Sequence, residues 1–318
     1  MQRFKNILVA TDTRLEDQSI VDKAGKLATE SNASLKLVDV VPSLPWTVRL
    51  LVNNHEHIAG LMNRERQEQL EKLAEPLRAE GIDVTTKVLN GKTSVEIIRE
   101  VLRDQHDLVM RVAKGADSRR KGFFGTTGTR LLRECPCAVH LVAANSPSLV
   151  RHVLACVDTS TGDPIDAELN EDIYKTAEAI SKGHVAKLSI AHAWTIDGEQ
   201  LLDGRMPKYE FELMKRSRRQ HIEGLLDKFL RGHGRSLDDD NVHMLKGDAP
   251  IVISEFASLQ GVDLVVMGTI GRSGAAGMII GNTAERILDS IECSIIAVKP
   301  SSFISPIKMG EYVEAARA

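Results

Sequence analysis

The chain has 318 residues, of which 42% are apolar, 27% charged and 4% aromatic, and its formal net charge is -3. That length suits two domains of about 150 residues, each large enough to bury a core unaided. The acidic balance and scarce aromatics exclude a general nucleic-acid or membrane-surface binder, no stretch reaches about 18 uninterrupted apolar residues, and four cysteines give no disulfide framework.

In chain order, Ile7–Ala10 is expected as a strand, Val21–Ala28 as a helix and Leu35–Val41 as a second strand. Met1 to Asn6 enters the first strand without a signal-peptide core, so the expected compartment is the cytoplasm. A long amphipathic helix follows from His57 to Glu80, with Leu61, Leu70, Leu73 and Leu77 on its apolar side. Then come a strand at Val84–Leu89, a helix near Val95–Leu102, a strand at Leu108–Val112, a helix from Thr127 and a strand at Ala138–Val142. The second half repeats the order: strand Val153–Val157, helix Ile173–Ile180, strand Leu188–Ala193, helix Glu210–Leu230 and strand His243–Leu245. Helix Ile251–Leu259, strand Leu264–Met267, a helix beginning at Gly281-Asn282-Thr283 and strand Ser294–Val298 complete it. Five strands and four helices per half predict two flavodoxin-like, doubly wound α/β domains, each a five-stranded parallel sheet with helices on both faces.

The repeat has a register. Gly91 to Val142 aligns without a gap onto Gly247 to Val298 at a constant offset of 156, with twelve of fifty-two positions identical. Identities fall where structure needs them: Asp107-Leu108-Val109 on Asp263-Leu264-Val265, Gly115 on Gly271, Gly125 on Gly281, and Cys137 on Cys293. This indicates a duplicated domain, with residues 1–144 and 150–300 as the copies, a linker around Ala144 to Ser148, and a tail at 301–318.

In the second copy, the fourth strand runs into Gly268-Thr-Ile-Gly271, then nine residues, then Gly281-Asn282-Thr283 at the start of a helix. Glycines let the backbone approach a ligand closely, and free N–H groups with the helix dipole favour an anion. Asn282 or Thr283 is expected to cap the helix or donate to a phosphate oxygen.

This Gly-x2-Gly-x9-Gly-(Ser/Thr) spacing resembles the nucleotide-binding signature of the universal stress protein family, with Asn282 at the Ser/Thr position. Gly281-Asn282-Thr283-Ala284-Glu285, the segment Ala167-Glu168-Leu169-Asn170 and the tandem layout resemble its two-domain members over residues 3–300. The resemblance implies the adenine nucleotide alpha hydrolase-like variant of the fold. It also implies ATP or ADP, with Mg²⁺, as ligand. Asp158 would contact the base or ribose, and Val157, Ala193 and Met267 would line the base pocket. Gly268, Gly271, Gly281, Asn282 and Thr283 would hold the phosphates. The family further implies pairing of the two domains through their last strands, and association of two chains as a homodimer.

The first copy keeps Asp12 but has Val112 in place of the first glycine, followed by Gly115 and Gly125-Thr126-Thr127. A β-branched side chain there is expected to fill the space phosphates need, leaving Gly125 to Thr129 a capping role and the first site degenerate. Cys135-Pro136-Cys137 with His140 has ligand types suited to zinc but no fourth ligand nearby, so no metal site is assigned. No Gly-x-Ser-x-Gly elbow, His-Glu-x-x-His pair or P-loop lysine is present, so any phosphoryl transfer should be slow. Three readings stay open: a nucleotide-binding stress-response protein, a slow ATPase, and a non-enzymatic carrier of a small apolar or lipid-like ligand.

Overall fold

The computed structural model describes residues 3–42, 55–113, 124–196, 198–202, 204–269 and 281–309. The first half contains β1 (Asn6–Ala10), α1 (Ser19–Ser31), β2 (Ser34–Val41), α2 (His55–Ala79) and β3 (Val84–Asn90). It continues through α3 (Thr93–Asp104), β4 (Leu108–Val112), α4 (Gly125–Glu134) and β5 (Ala138–Val142). The second half contains β6 (His152–Cys156), α5 (Pro164–His184), β7 (Lys187–Trp194), α6 (Glu199–Leu202) and α7 (Lys208–Gly232). There follow β8 (Val242–Lys246), α8 (Ala249–Leu259), β9 (Leu264–Gly268), α9 (Asn282–Ser290) and β10 (Ser294–Val298).

Two helices differ from the sequence expectation. Helix α5 begins well before Ile173, because Asp163 accepts the Ile165 N–H at 2.8 Å as N-cap and Pro164 supplies the first helical residue. The short helix α6 has no signature in the sequence, since four residues are too few to carry a periodic pattern.

All strands within a half are parallel, and the sheet order is β3-β2-β1-β4-β5-β10-β9-β6-β7-β8. Each half therefore reverses its strand order between its first and fourth strands, which opens a crevice at the carboxyl ends of those strands. The halves meet at an antiparallel seam pairing Ile295 with Leu141, Ile296 with His140 and Ala297 with Val139. At the offset of 156, His140 faces its own equivalent, Ile296, so a local pseudo-twofold axis passes between them.

Period-two alternation divides the apolar residues between the faces of this sheet. One face carries a cluster that runs across both halves under α3, α4, α8 and α9, including Val109, Leu131, Val265 and Ile287. The other carries two clusters: Val9, Leu37 and Met110 under α1 and α2, and Ala155, Ile190 and Val266 under α5 and α7. Across the seam, Arg3 on the first half bonds Thr176 at 2.9 Å and Asp172 at 3.1 Å on α5, and Arg133 on α4 pairs with Glu285 on α9. Residues 301–309 return to the first half, where Ser305 Oγ donates to the Glu134 carbonyl at 2.7 Å.

Candidate functional site

In the second half the crevice lies between β6 and β9. Strand β6 stops at Cys156, so Asp158 stands two residues into the loop. Its backbone is clamped by the buried Asn170 of α5, which accepts the Asp158 N–H at 2.9 Å and donates to its carbonyl at 2.8 Å. The side chain remains exposed, with Oδ1 accepting the Ser160 hydroxyl at 2.5 Å and the Ser160 N–H at 3.1 Å. Buried His192 on β7 secures the same loop, its Nδ1 lying 3.1 Å from the Val157 carbonyl oxygen.

Gly268 closes β9. A Cβ on it would lie 2.5 Å from Leu169 Cδ2, so any larger residue here must displace that side chain of α5 whatever the ligand. Next, the Thr269 carbonyl accepts the Gly281 N–H at 3.1 Å, which draws together the two ends of the connection 270–280. Gly271 falls in that connection and lies outside the described residues.

Helix α9 starts at Asn282 with Gly281 as N-cap, and among the described residues no side chain caps it. The expected capping role of Asn282 or Thr283 is thereby corrected: both lie inside the first turn, and the residue with the cap conformation has no side chain. The first intrahelical bond runs from the Glu285 N–H to the Gly281 carbonyl at 3.0 Å, leaving the N–H groups of Asn282, Thr283 and Ala284 ahead of the ladder.

Met267 and Ala193 pack on the α8/α9 face of the sheet. Val157 does not join them. Its side chain lies in the cluster under α5 and α7, one residue out of phase with Cys156, which faces the Met267 side.

Two hydroxyls that sequence reasoning missed complete the geometry. Thr159 Oγ1 and Thr269 Oγ1 are buried and have no hydrogen-bond partner among the described residues. They follow Asp158 and Gly268 directly, at the ends of neighbouring strands β6 and β9. Their signal in sequence was no more than a threonine after each motif residue.

The first half answers differently at each position. Thr13, the counterpart of Thr159, is satisfied: its hydroxyl donates to Asp39 at 2.7 Å and accepts from Arg66 at 2.9 Å. Ala113 replaces Thr269, and Arg111 replaces Met267. Asp12 is engaged by Arg14 at 2.8 and 2.5 Å, and those hydrogen bonds hold its carboxyl below the usual carboxylate range. A cavity of about 1110 Å³ remains at these strand ends, lined by Asp12, Arg111, Phe124, Gly125, Thr127 and Arg130 among others.

Val112 packs against the cluster under α1 and α2, on the face away from the one shared by Val109 and α4. Val112 and Arg111 both line the cavity at these strand ends, and Arg111 adds a cation where the second half has Met267. Nor do Thr126 and Thr127 cap α4; its N-cap is Phe124, and Thr129 donates back to the Gly125 carbonyl at 2.9 Å. Among the described residues no group of three or more His, Cys, Asp or Glu side chains is placed to hold a metal. Around Cys135-Pro136-Cys137, His140 is half-buried, and desolvation pushes its titration down to about 3.

Comparison with known proteins accounts for both copies. The model of the universal stress protein family matches residues 3–143 and again 150–299. Universal stress protein E of Salmonella typhi is 25% identical over 98% of this chain and 99% of its own length. The universal stress protein E homolog of Haemophilus influenzae is 26% identical over 94% and 98%. Among solved structures, a functionally unknown protein from Pseudomonas aeruginosa superimposes with a TM-score of 0.73 at 24% identity, covering 94% of each chain. A universal stress protein from Archaeoglobus fulgidus superimposes with a TM-score of 0.63 at 17% identity over 94% and 99%. Two matches to one family model, on two copies of one doubly wound fold, establish that the chain belongs to the universal stress protein family.

Proposed function

We propose that this stress-response protein binds one adenine nucleotide, ATP or ADP, in its second half, and releases it without turnover or after slow hydrolysis. The base lies toward Met267 and Ala193, the ribose toward Asp158, and the phosphates with Mg²⁺ at the N-terminus of α9 and the Gly268–Gly281 connection. The protein acts in the cytoplasm in this reading.

The observation that carries the proposal is the pair of buried hydroxyls on Thr159 and Thr269 that find no hydrogen-bond partner among the described residues. Leaving a buried donor unpaired costs about 1–3 kcal/mol, and a polar ligand at the strand ends offsets that cost. Asp158, held rigidly by Asn170 yet exposed at its carboxylate, supplies an acceptor for sugar hydroxyls. The uncapped start of α9 supplies donors and a positive dipole end for phosphate. The first half lacks its own version of this set: its threonine is satisfied, its aspartate is paired with arginines, and Arg111 stands where a base would rest on Met267.

The test is thermal unfolding of nucleotide-free protein with and without millimolar ATP, together with native mass spectrometry. A ligand at about 100 times its Kd stabilises by about 2.7 kcal/mol, so the midpoint should rise clearly. Asp158→Ala is the informative variant, because its side chain is exposed and lies outside the packed core. The expected result is one nucleotide per chain and a shift that Asp158→Ala abolishes. No shift in the unsubstituted protein overturns nucleotide binding; two nucleotides per chain overturn its assignment to the second half.

A further inference from the structure

The densest unexplained chemistry outside the crevices lies at the seam between the halves. Cys135 ends α4 and is fully buried, and Cys137 immediately precedes β5. Their sulfur atoms are 3.5 Å apart across Pro136, within reach of bond formation by a small side-chain movement. Continuing the β5–β10 ladder by two residues puts Lys299 opposite Cys137. Lys299 is 8% exposed, and its ammonium donates to the Cys135 carbonyl and lies 3.5 Å from that of Leu131. Phe303 covers the ammonium at 4.6 Å from its ring centre.

A buried ammonium beside two thiols is a recognisable chemical environment. It favours the negative form of a sulfur, and a second sulfur in contact can donate to that thiolate. Burial opposes ionisation of Cys135, but the Cys137 thiol and the Lys299 charge outweigh it and lower its titration. Cys137 is driven strongly the other way by burial and by its neighbour. Burial also pushes Lys299 down to about 8, still mostly charged at neutral pH. The other two cysteines lack this setting: burial pushes Cys293 up to about 12 and Cys156 higher still.

We propose that Cys135 and Cys137 form a peroxide-reactive dithiol, oxidised reversibly to a Cys135–Cys137 disulfide beside Lys299. The Cys135 thiolate attacks one oxygen of hydrogen peroxide, the O–O bond breaks, and the departing hydroxide leaves as water after taking a proton. The Cys135 sulfenic acid is then attacked by the Cys137 sulfur. The S–O bond breaks and the second hydroxide leaves with the Cys137 proton. Two thiols and one peroxide thus yield one disulfide and two waters. Full burial of Cys135 restricts the oxidant to a molecule of this size; a bulky disulfide cannot reach it.

Trypsin separates the candidates cleanly. Residues 134–151 form one peptide holding Cys135 and Cys137, while Cys156 and Cys293 fall in two others. The folded full-length chain is treated with hydrogen peroxide, unfolded in an alkylating agent and mapped by mass spectrometry. The expected result is a 134–151 peptide lighter by two hydrogens and unalkylated, restored by dithiothreitol, with Cys156 and Cys293 fully alkylated. Cys137→Ser should halt at a Cys135 sulfenic acid, trapped by dimedone added with the unfolding buffer because the folded protein shields that sulfur. Lys299→Met should slow oxidation on the order of tenfold, the effect of removing a cation beside a thiolate. Two free thiols in the 134–151 peptide after treatment, or a disulfide to Cys156 or Cys293, overturn the proposal. This mapping needs only the unsubstituted protein, so it decides the matter even if a variant fails to fold.

Discussion

Leu169 Cδ2 lies 2.5 Å from where a Cβ on Gly268 would stand. A residue of a nucleotide-loop pattern is thus also a packing residue between β9 and α5. Gly268→Ala should lower stability by about 1–3 kcal/mol through overpacking. Trimming the partner in Gly268→Ala/Leu169→Ala should show coupling, with the double variant more stable than the sum of the singles predicts. Urea unfolding of the four proteins measures this cycle. If Gly268→Ala unfolds at the unsubstituted midpoint, the contact has no energetic weight.

Glu100 is wholly buried on α3 and meets three cations: Lys36 at 2.7 Å, Lys87 at 3.0 Å and Arg103. Removing it leaves Lys36 with Asp104 alone and strands Lys87. Glu100→Ala should cost about 3–5 kcal/mol, the usual effect of breaking a buried ion pair from one side. Glu100→Gln keeps the volume and isolates the part due to charge. Denaturant midpoints decide it, and a loss under about 1 kcal/mol for Glu100→Ala would contradict the buried network.

His140 ties the seam to pH. Burial, with Lys23 and His184 nearby, pushes its titration from the ordinary 6.5 down to about 3. The native state therefore keeps it neutral where the unfolded chain binds a proton. Between those two values the unfolded state holds one more proton, so stability rises with pH and is lost as pH falls. This contribution is complete above about 6.5 and drains away toward pH 3, by about 1.4 kcal/mol for each pH unit. His140→Leu should flatten that part of the acid limb in unfolding measurements at successive pH values. An unchanged slope would mean that His140 protonates in the folded protein.

Much of this was legible in sequence, and the reasons are physical. Strands β4, β5, β9 and β10 fall at the offset the repeat demanded, and Gly91 and Gly247 share the same φ of +142° before α3 and α8. Long-range repetition survives divergence because each copy must bury the same faces. The side on which Val157 and Val112 pack was also available from period-two alternation, and the motif distracted from it. Thr159, Thr269 and Arg111 were different. Nothing local distinguishes an unmatched hydroxyl from a satisfied one until the partner is seen, and Thr13 finds its partner in Asp39, twenty-six residues away. The pairing of Cys135 and Cys137 with Lys299 is more distant still, since it depends on the antiparallel seam.

That seam has an evolutionary consequence. In an assembly of two identical chains around the same axis, any substitution is made twice, once on each side. Here the position related to Lys299 is Ala143, which carries no charge and whose N–H donates to Ser294 Oγ at 3.0 Å. Covalent fusion freed the two sides to mutate separately, so a single ammonium could be placed against one pair of cysteines without burying a second charge across the axis.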